Sequence, residues 1–497
     1  MSTALLSSRA LVGLSAPAVR VEAHLPSGLP GFTTTGLADS DVRERVKSAI
    51  QNSNFEFPRG RIVVNLGPAE LDKRGGRYDL AIAAAILVAS GQIPAGHLAA
   101  FDLLGELSLF GDVRAIRGAL TALRMTRAAH RKLILPSANG DELGASKVTD
   151  VSCIAHLNAL RQPLRAFRRA QLILMHGAPN EAAPAASTKS DPLADVIGQH
   201  QAKQALTIAA AGGHHMLMVG PPGAGKTMLA QRLAQLLPPL PAQAAQQVAE
   251  IYSIVGLPVP PDGTPFRAPH HSASAVAIAG GGSQPQPGEV TLAHQGLLFL
   301  DELPEFRRDA IEVLREPLEA GTIRIARRAA TVEYPARFQL IAAMNPCPVG
   351  RACQPNNCQC SPEQASRYQN KISAPIRDRI DLHVPVSSVP ISKLMSPKQQ
   401  PPPTAPSREQ IATAHAAQLD RGCQNAHLDM AGIKRFCGLS NDATQLLGQA
   451  ALRLELSARA YYRTLRVART VADLEGQASI DEPAIATALS YRPRPAV

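Results

Sequence analysis

The stretch GPPGAGKT at positions 220–227 decides the fold, and its residues are Gly220, Pro221, Pro222, Gly223, Ala224, Gly225, Lys226 and Thr227. It follows the apolar run Met216–Val219 and opens into the helical pattern Met228–Leu237. In the spacing G-x-x-x-x-G-K-T, glycines turn backbone N–H groups toward phosphates, the lysine reaches the terminal phosphates and the threonine hydroxyl binds Mg²⁺. The positive end of the helix faces the same anion. The pattern predicts a site for ATP and Mg²⁺, and the flanking strand and helix disfavour a chance glycine-rich turn.

A second apolar run ends in two carboxylates. Gly296–Leu300 is followed by Asp301 and Glu302, which is typical of a buried parallel strand whose carboxyl end faces the nucleotide. Asp301 is placed to hold Mg²⁺ through water, and Glu302 is the candidate for polarising the attacking water. A solvated acidic strand end would be the better interpretation if the phosphate loop were absent. Together the two stretches make hydrolysis of a nucleoside triphosphate the leading hypothesis.

Length and composition narrow the class of protein. The 497 residues predict about three domains. With 51 basic and 40 acidic residues, the formal net charge of +11 favours a polyanionic partner such as nucleic acid. No apolar run is long enough to span a membrane and the first residues make a poor signal peptide, so we expect a cytoplasmic protein without a membrane partner. The seven cysteines do not indicate a disulfide framework in a chain of this size.

The first block, residues 1–176, alternates two kinds of pattern. Val19–Ala23 and Arg61–Leu66 predict strands, whereas Val42–Asn52 and Asp79–Ser90 predict helices. An α/β domain is therefore expected here.

Two segments rich in turn-forming residues divide the rest of the chain. Residues 177–192 and 399–406 are predicted linkers. Residues 193–398 between them hold the phosphate loop. Residues 407–497 carry helical periods such as Ala443–Glu455 and Ala460–Leu474, and they predict a small helical lid.

A resemblance enters in the first block. Gly67–Ile82 and Gly105–Val113 resemble the Lon-protease-type domain, with its S5-domain-2-like fold, that magnesium-chelatase-like ATPases carry at their N-terminus. In Lon the segment that matches Arg74–Asp79 holds the catalytic serine, and here it contains no serine. Covalent catalysis needs a nucleophile beside a base. The resemblance therefore implies a Lon-like fold without peptidase activity.

Residues 193–398 resemble the core of AAA+ ATPases, a parallel sheet with helices on both faces. Leu193–Gln199 is similar to the segment that packs around adenine, and Asn345 is similar to the sensor-1 asparagine. Ala374–Leu382 resembles a stretch of the magnesium chelatases in which Arg379 matches the arginine finger inserted into the neighbouring subunit's ATP site.

Two of these assignments leave alternatives. Arg377 stands where leucine is usual in the family, and it is a second candidate for the finger. In the lid, Leu465–Ala472 resembles the sensor-2 helix, with Arg466 as the first candidate and Arg469 as the second. A solvated helix face is the other interpretation of both lid arginines.

A hairpin pattern follows the acidic strand. Thr322–Ile325 and Thr331–Tyr334 predict its strands, with Arg324, Arg327 and Arg328 near its tip. In related ring ATPases this hairpin projects into the central pore. We expect guanidinium groups at that place to follow a phosphate backbone without reading sequence. A solvated tip is the alternative.

Four cysteines lie just beyond Asn345, with the spacing C-x5-C-x4-C-x-C: Cys347, Cys353, Cys358 and Cys360. Four thiolates are the ligand set of a tetrahedral structural Zn²⁺ site. The spacing is not a pair of C-x-x-C knuckles, so four reduced, unliganded thiols remain the alternative.

The whole chain is identified as a member of the magnesium-chelatase-like AAA+ ATPases of the YifB family. Phe266–Phe306, which includes a helix-2 insertion, combines with Gly321–Pro348 in a way that is specific for this branch. The resemblance implies a hexameric, ATP-driven motor that acts on single-stranded and branched DNA and promotes branch migration in homologous recombination during natural transformation. A chelatase-type motor subunit that remodels a protein partner is the alternative.

Replacing Arg327 and Arg328 by alanine tests the hairpin. We expect stimulation of ATP hydrolysis by DNA to disappear while basal hydrolysis persists, because these residues would contact phosphates of DNA and not the nucleotide. The measurement is the ATPase rate with and without single-stranded DNA. Stimulation equal to that of the unchanged protein would remove the hairpin from DNA binding.

Overall fold

A computed structural model describes residues 2–37, 39, 41–71, 73–143, 150–162, 192–261, 263–282, 285–326, 331–349, 360–389 and 408–493. Contacts divide them into two compact units. The first comprises the described parts of Met1–Pro184, Gln246–Val259 and Ala326–Val332. The second comprises the described parts of Ala185–Ala245, Pro260–Ile325 and Glu333–Val497.

The strands are β1 (Ser2–Arg9), β2 (Ala18–Leu25), β3 (Gly31–Thr35), β4 (Arg61–Gly67), β5 (Phe101–Leu103), β6 (Glu106–Leu107), β7 (Val113–Arg114), β8 (Lys132–Pro136), β9 (Val151–Ile154), β10 (Met216–Val219), β11 (Phe266–Arg267), β12 (Gly280–Gly281), β13 (Gln286–Pro287), β14 (Leu297–Leu300), β15 (Thr322–Ala326), β16 (Thr331–Pro335), β17 (Gln339–Met344) and β18 (Leu382–Pro385).

The helices are α1 (Val42–Asn52), α2 (Asp79–Ala89), α3 (Ala95–Leu98), α4 (Ala119–Ala128), α5 (His200–Gly212), α6 (Lys226–Leu236), α7 (Ala242–Val255), α8 (Ala275–Ala279), α9 (Glu289–Leu292), α10 (Arg308–Glu312), α11 (Arg315–Ala320), α12 (Pro362–Gln369), α13 (Ala374–Arg377), α14 (Arg408–Asp420), α15 (Met430–Phe436), α16 (Asn441–Arg453), α17 (Ala458–Leu474) and α18 (Glu482–Ser490). Short 3₁₀ turns cover Gly76–Tyr78, Ser137–Leu143, Leu157–Arg161, Leu303–Glu305 and Asn425–His427.

The first unit is built on a seven-stranded mixed sheet with the order β3-β4-β2-β1-β5-β8-β9. Strand β2 alternates buried residues such as Val19 and Val21 with exposed ones such as Arg20, so one face of the sheet meets the core. Helix α2 is buried on almost every side, because its sequence is apolar around its whole circumference. The predicted strands and helices of this block are confirmed, and the sheet makes it a mixed α/β fold.

Helix α7 belongs to the first unit over most of its length. The backbone N–H of Gly118 donates to the carbonyl oxygen of Ser253 at 2.9 Å. Arg124 Nε lies 2.9 Å from both carboxylate oxygens of Glu250, which is buried, and Ser253 Oγ donates to Glu142 at 2.5 Å. Contacts thus place Gln246–Val259 with the first unit, although this segment falls within residues 193–398 of the sequence division.

The second unit is built on a five-stranded parallel sheet with the order β11-β14-β17-β10-β18. Strands β14 and β17 are buried at every position, as expected of a parallel sheet with both faces covered. Helices between Arg408 and Ser490 share one hydrophobic core with this sheet and with α5. Tyr491, just beyond them, is buried, and its hydroxyl donates to the carbonyl oxygen of Gln201 in α5 at 3.1 Å.

Capping explains small differences from the predicted helix bounds. Helices α16 and α17 begin two residues earlier than the patterns Ala443–Glu455 and Ala460–Leu474 predicted. Ser440 and Ser457 accept hydrogen bonds from the backbone N–H groups of the third helical residues, so each serine fixes the start of its helix. Helix α6 begins at Lys226 and not at Met228, because the left-handed conformation of Gly225 starts it there.

Membrane insertion was not expected from the sequence. Among the described residues, no helix combines the length and the hydropathy that crossing a bilayer requires.

His294 joins two segments of the second unit through an uncharged ring. It is buried, and its Nδ1 accepts a hydrogen bond from the backbone N–H of Arg337 at 3.1 Å. Burial, aided by the positive charge of Arg337, lowers the pKa of His294 to about 4. A proton on Nδ1 would remove the acceptor, so the folded state requires the neutral ring.

Replacing His294 by asparagine should make the second unit more tolerant of acid. The unfolded histidine takes up its proton near pH 6.5 and the folded one only near pH 4, so the wild type loses stability as the pH falls through that window. Asn Oδ1 keeps the acceptor without titrating. The unfolding free energy of His294→Asn relative to the wild type should rise by about 3 kcal/mol between pH 6.5 and 4. Denaturant titrations at several pH values measure it, and a pH-independent difference would contradict it.

Candidate functional site

The carboxyl ends of three neighbouring strands bring the predicted site residues together. The register pairs Val219 of β10 with Met344 of β17, and Leu300 of β14 with Ala342 of β17. Gly220, Asn345 and Asp301 therefore follow their strands at one edge of the sheet. Ligands of open parallel sheets bind at this edge.

The phosphate loop depends on its glycines. Gly223 and Gly225 have φ angles of +78° and +88°, in the left-handed region that glycine adopts without strain. A Cβ on Gly220 would lie 2.1 Å from the carbonyl oxygen of Val386, so a larger residue would push the loop away from β18. These constraints hold the loop between β10 and α6.

Lys226 is the buried cation of the site. Its Nζ donates to the carbonyl oxygens of Gly220 and Pro221, at 2.6 and 3.0 Å, and to Asn345 Oδ1 at 3.1 Å. Burial lowers the pKa of this amine, and the carboxylates of Asp301 and Glu302 oppose that effect. The ammonium group thus lies inside the loop, with bonds that phosphate oxygens can replace.

Thr227 and Asp301 face each other across the same edge. The Thr227 hydroxyl donates to Asp301 Oδ2 at 2.8 Å, and Asp301 Oδ1 accepts the backbone N–H of Glu302 at 2.9 Å. A hydroxyl and a carboxylate are the hard oxygen ligands that Mg²⁺ prefers. This pair therefore fits a Mg²⁺ ion whose other ligands come from phosphate and water.

Glu302 is held by a histidine that follows β11. It has a φ of 53°, its side chain is 52% exposed, and its Oε2 lies 3.3 Å from Nδ1 of His271. The ring of the neighbouring His270 lies against that of His271, with centroids 4.0 Å apart and an interplanar angle of 34°, and its Nδ1 lies 2.8 Å from Ser272 Oγ. The paired histidines thus contact Glu302 and Ser272, and His271 is a site residue whose role the sequence did not reveal.

Tyr368 is a second residue that sequence reasoning missed. It is buried beside the backbone of Asn345, and burial together with the carboxylates of Glu305 and Glu302 raises its pKa to about 12. It is the one tyrosine of α12 and belongs to no motif. Its place beside the backbone of Asn345 follows from the tertiary structure and not from any sequence pattern.

A cavity near the predicted adenine segment lies next to the phosphate loop. It has a volume of about 410 Å³ and is lined by Gly198–Ala202 and by residues 385 and 387–389. Gln199 donates to the carbonyl oxygen of Ser387 and so ties the two walls together. The cavity therefore lies beside the segment that the sequence predicts to pack around adenine.

Arg379 and Arg466 line a different cavity, of about 250 Å³, together with Arg459 and Arg463. Arg379 is only 5% exposed and pairs with Glu319, while Arg463 lies 3.4 Å from Asp381. Burial favours the neutral acid at Asp381. The hydrogen bond to His214 and the charge of Arg463 nevertheless hold the pKa of Asp381 well below its usual range. We call this group the arginine cluster: Arg379, Arg459, Arg463 and Arg466.

The alternatives that the sequence left open have different surroundings. Arg377 donates instead to Asn370 Oδ1 at 3.4 Å, outside this cavity. Arg469 is buried, pairs with Asp473 at 3.0 Å and donates to the carbonyl oxygen of Ala478 at 2.9 Å. Both of these contacts of Arg469 therefore lie within the helical region between Arg408 and Ser490. Arg459 and Arg463 are members that no motif indicated.

The predicted DNA-binding residues are described only in part. Arg324 lies on β15 with its side chain 69% exposed, and its Nε pairs with Glu333 of β16 at 2.6 Å. Arg327 and Arg328 lie outside the described residues. Strands β15 and β16 pair as a two-stranded sheet, which is the predicted hairpin.

The cysteine prediction has no support from the described residues. Cys347 and Cys360 are buried in one small cluster, whereas Cys353 and Cys358 lie outside the described residues. Within the part of the chain that the structure describes, no group of three His, Cys, Asp or Glu side chains is arranged to hold a metal ion. The predicted Zn²⁺ site therefore stays without evidence.

Comparisons with known proteins match almost the whole chain. Three family models match: "Magnesium chelatase, subunit ChlI" over residues 192–394, "Subunit ChlI of Mg-chelatase" over 21–139 and "Magnesium chelatase, subunit ChlI C-terminal" over 402–492. The uncharacterized protein YifB of Salmonella typhimurium is 44% identical over 99% of this chain and 97% of its own length. The chain belongs to the magnesium-chelatase-like YifB family.

Two further relatives show the breadth of this family. The competence protein ComM of Haemophilus influenzae is 44% identical over 99% of this chain and 98% of its own length. The magnesium-chelatase 38 kDa subunit of Cereibacter sphaeroides is 26% identical over 32% of this chain and 53% of its own length. Membership of the magnesium-chelatase-like AAA+ family implies the use of ATP and Mg²⁺.

Proposed function

We propose that this chain hydrolyses ATP and uses the energy to move DNA, as a ring-shaped branch-migration motor. The observation that carries the ATPase part is the convergence of Lys226, Thr227, Asp301, Glu302 and Asn345 at one edge of the parallel sheet. The site is built from charged and polar groups aimed at one anion and one hard cation. Such a set matches the recurring parts of nucleoside-triphosphate hydrolases.

The Mg²⁺ ion would be held by Thr227 and, directly or through water, by Asp301. Their oxygens lie 2.8 Å apart. When bound, the ion supplies positive charge that offsets the charge of the phosphates. The binding of phosphate itself falls to Lys226, which exchanges the carbonyl oxygens of Gly220 and Pro221 for phosphate oxygens. The ammonium group therefore has hydrogen-bond acceptors both without and with bound nucleotide.

Glu302 is the proposed general base. Its exposed carboxylate accepts a proton from the attacking water once its contact with His271 opens. Asn345 shares its Oδ1 with Lys226 and so positions the amide beside the terminal phosphate. Removing a positioned base typically costs about 10²- to 10⁴-fold in rate.

The arginine cluster is proposed to act on the ATP of a neighbouring subunit. The buried Nε atoms of Arg379, Arg463 and Arg466 have no hydrogen-bond partner among the described residues. Buried donors without acceptors are costly, so an anion supplied from outside the cavity would stabilise them. A terminal phosphate that enters from an adjoining protomer has this chemistry. We propose a hexameric ring on this basis, with Arg379 as the finger and Arg466 as sensor 2.

DNA as the substrate rests on separate support. The chain carries a net charge of +11, and a relative that covers nearly all of it is named a competence protein. The hairpin of β15 and β16 supplies a two-stranded element, and Arg324 together with Arg327 and Arg328 of the sequence between its strands are the proposed DNA contacts. We propose that the protein acts on single-stranded and branched DNA in recombination during natural transformation, in the cytoplasm.

The N-terminal unit is proposed to be Lon-like and non-proteolytic, and residues 407–497 are proposed to be a lid.

The runner-up is a chelatase-type motor that remodels a protein partner. The three matched family models, which all describe a magnesium-chelatase subunit, favour it. In that case the ring would hydrolyse ATP without any response to DNA.

The first test compares ATPase rates with no DNA, with single-stranded DNA and with a four-way junction. Strong stimulation that weakens as salt rises is expected, because phosphate contacts release counterions. Glu302→Gln is the control for contaminating hydrolysis. If the protein hydrolyses ATP and neither DNA changes the rate at low salt, the DNA motor is contradicted and the protein-remodelling alternative is favoured.

Mixing two inactive variants tests the neighbouring-subunit role of Arg379. Lys226→Ala protein cannot bind nucleotide but keeps its arginines, and Arg379→Ala protein keeps its phosphate loop. Each alone should lose about 10³-fold or more of the hydrolysis rate. Together they should recover activity, because the first supplies the arginine to the second. Lys226→Ala mixed with Glu302→Gln is the matched control and should stay inactive. No recovery in the first mixture would contradict action between subunits.

A further inference from the structure

The first unit contains a large groove that the nucleotide site does not use. Its volume is about 770 Å³, within the range of ligand-binding clefts. Strand β3, helix α1 and the segment 57–60 supply its walls. Because β3 is the edge strand of the seven-stranded sheet, the groove lies at the rim of the unit.

Two aromatic rings form the apolar part of the groove. Phe32 of β3 and Phe57 have ring centroids 6.0 Å apart and an interplanar angle of 57°. Both rings pack partly against the hydrophobic core and stay partly exposed in the groove. Leu29, immediately before the groove residue Pro30, is 88% exposed. Exposed apolar side chains that lie together in a groove indicate a binding surface.

Cations surround the two rings. Arg43 and Lys47 come from one face of α1, and Arg59 comes from the segment after Phe57, whereas Glu44 is the one acidic residue in the lining. The three cations are exposed, and none forms an ion pair with another described residue. Their charge is therefore available to a partner. Arg43 and Lys47 are four residues apart, so they lie side by side on the helix.

The combination of rings and unpaired cations selects the chemistry of that partner. Aromatic rings stack on unpaired bases, and cations beside them contact the phosphates of the same strand. A duplex hides its base faces, and the acidic side chains of a peptide carry charge without a planar ring, whereas each nucleotide of a single strand carries both a phosphate and a base. A single strand of nucleic acid satisfies both features.

We propose that this groove binds single-stranded DNA through stacking on Phe32 and Phe57 and through phosphate contacts with Arg43, Lys47 and Arg59. The inference rests on the proposed function only for the choice of DNA as the nucleic acid. It assigns a DNA contact to the groove beside β3, whose lining contains no residue of the β15–β16 hairpin. The first unit would then hold a displaced or incoming strand.

The chain contains no tryptophan, so one introduced indole reports on the groove alone. Phe57→Trp preserves the stacking surface, and its fluorescence should be quenched when oligo(dT) is added to the full-length protein. Phe110→Trp is the matched control, since Phe110 lies in the same unit outside the groove and is 73% exposed. Poly-glutamate is the control polyanion, because it has charge without bases. Equal quenching at both positions, or quenching by poly-glutamate, would overturn the proposal.

Affinity measurements on otherwise native protein test the contacts. By fluorescence anisotropy, Phe57→Leu should bind labelled oligo(dT) about tenfold more weakly, because it keeps the apolar packing and loses the stacking ring. Changing Arg43, Lys47 and Arg59 together to alanine should reduce the salt slope of binding by about 2. The control triple changes Arg20, Lys434 and Arg453, which are exposed cations outside the groove. Groove and control triples that bind alike would refute the groove.

The same variants separate this inference from the proposed function. If DNA stimulates hydrolysis in the wild type and the groove variants bind oligo(dT) normally, the groove proposal fails and the motor stands. If the groove variants bind oligo(dT) more weakly than the wild type and no DNA changes the rate of ATP hydrolysis, the motor proposal fails and the groove proposal stands. If oligo(dT) does not bind the wild type at low salt, the groove proposal is wrong.

Discussion

The Lys226 ammonium group sets the main constraint on the second unit. A buried cation must have acceptors, and three oxygens from the loop and from Asn345 provide them. Those acceptors come from the ends of two neighbouring parallel strands, so the register of β10 and β17 has to be held. The register in turn depends on strands that are apolar on both faces and on helices that cover them. The acceptors of this one positive charge therefore depend both on the backbone conformation of the glycine loop and on the packing of the whole sheet.

Much of this arrangement could be predicted from the sequence, because its signals are local. The phosphate loop, the acidic strand and the strand before Asn345 are each short continuous motifs. Parallel strands bring their carboxyl ends to one edge, so three separate motifs predicted one site. Helix α1 has the bounds that its pattern predicted, because a single apolar stripe of Val42, Val46, Ala49 and Ile50 defines it.

Other features depend on residues far apart in the chain, and no local pattern could predict them. The arginine cluster joins Arg379 to three side chains of α17 about eighty residues later, and Glu319 contributes from α11. Tyr368 of α12 lies beside the backbone of Asn345, which follows β17, and Phe32 contacts Phe57 although α1 separates them in the sequence. The placement of α7 is of the same kind, since its apolar stripe shows that it is covered without showing by what. Tertiary packing decides each case.

The placement of helix α7 limits where the chain can be cut into fragments or joined to the chain of a relative. It starts a few residues after the phosphate-loop helix ends, yet Arg124, Gly118 and Glu142 of the first unit hold its polar groups. A fragment cut at residue 192 would keep α7 without these partners and would bare Val248, Ile251 and the carboxylate of Glu250 to water. No single position in the sequence therefore separates the two units. An exchange of the first unit between relatives would have to transfer Gln246–Val259 together with Met1–Pro184, so that the helix keeps the residues that contact it.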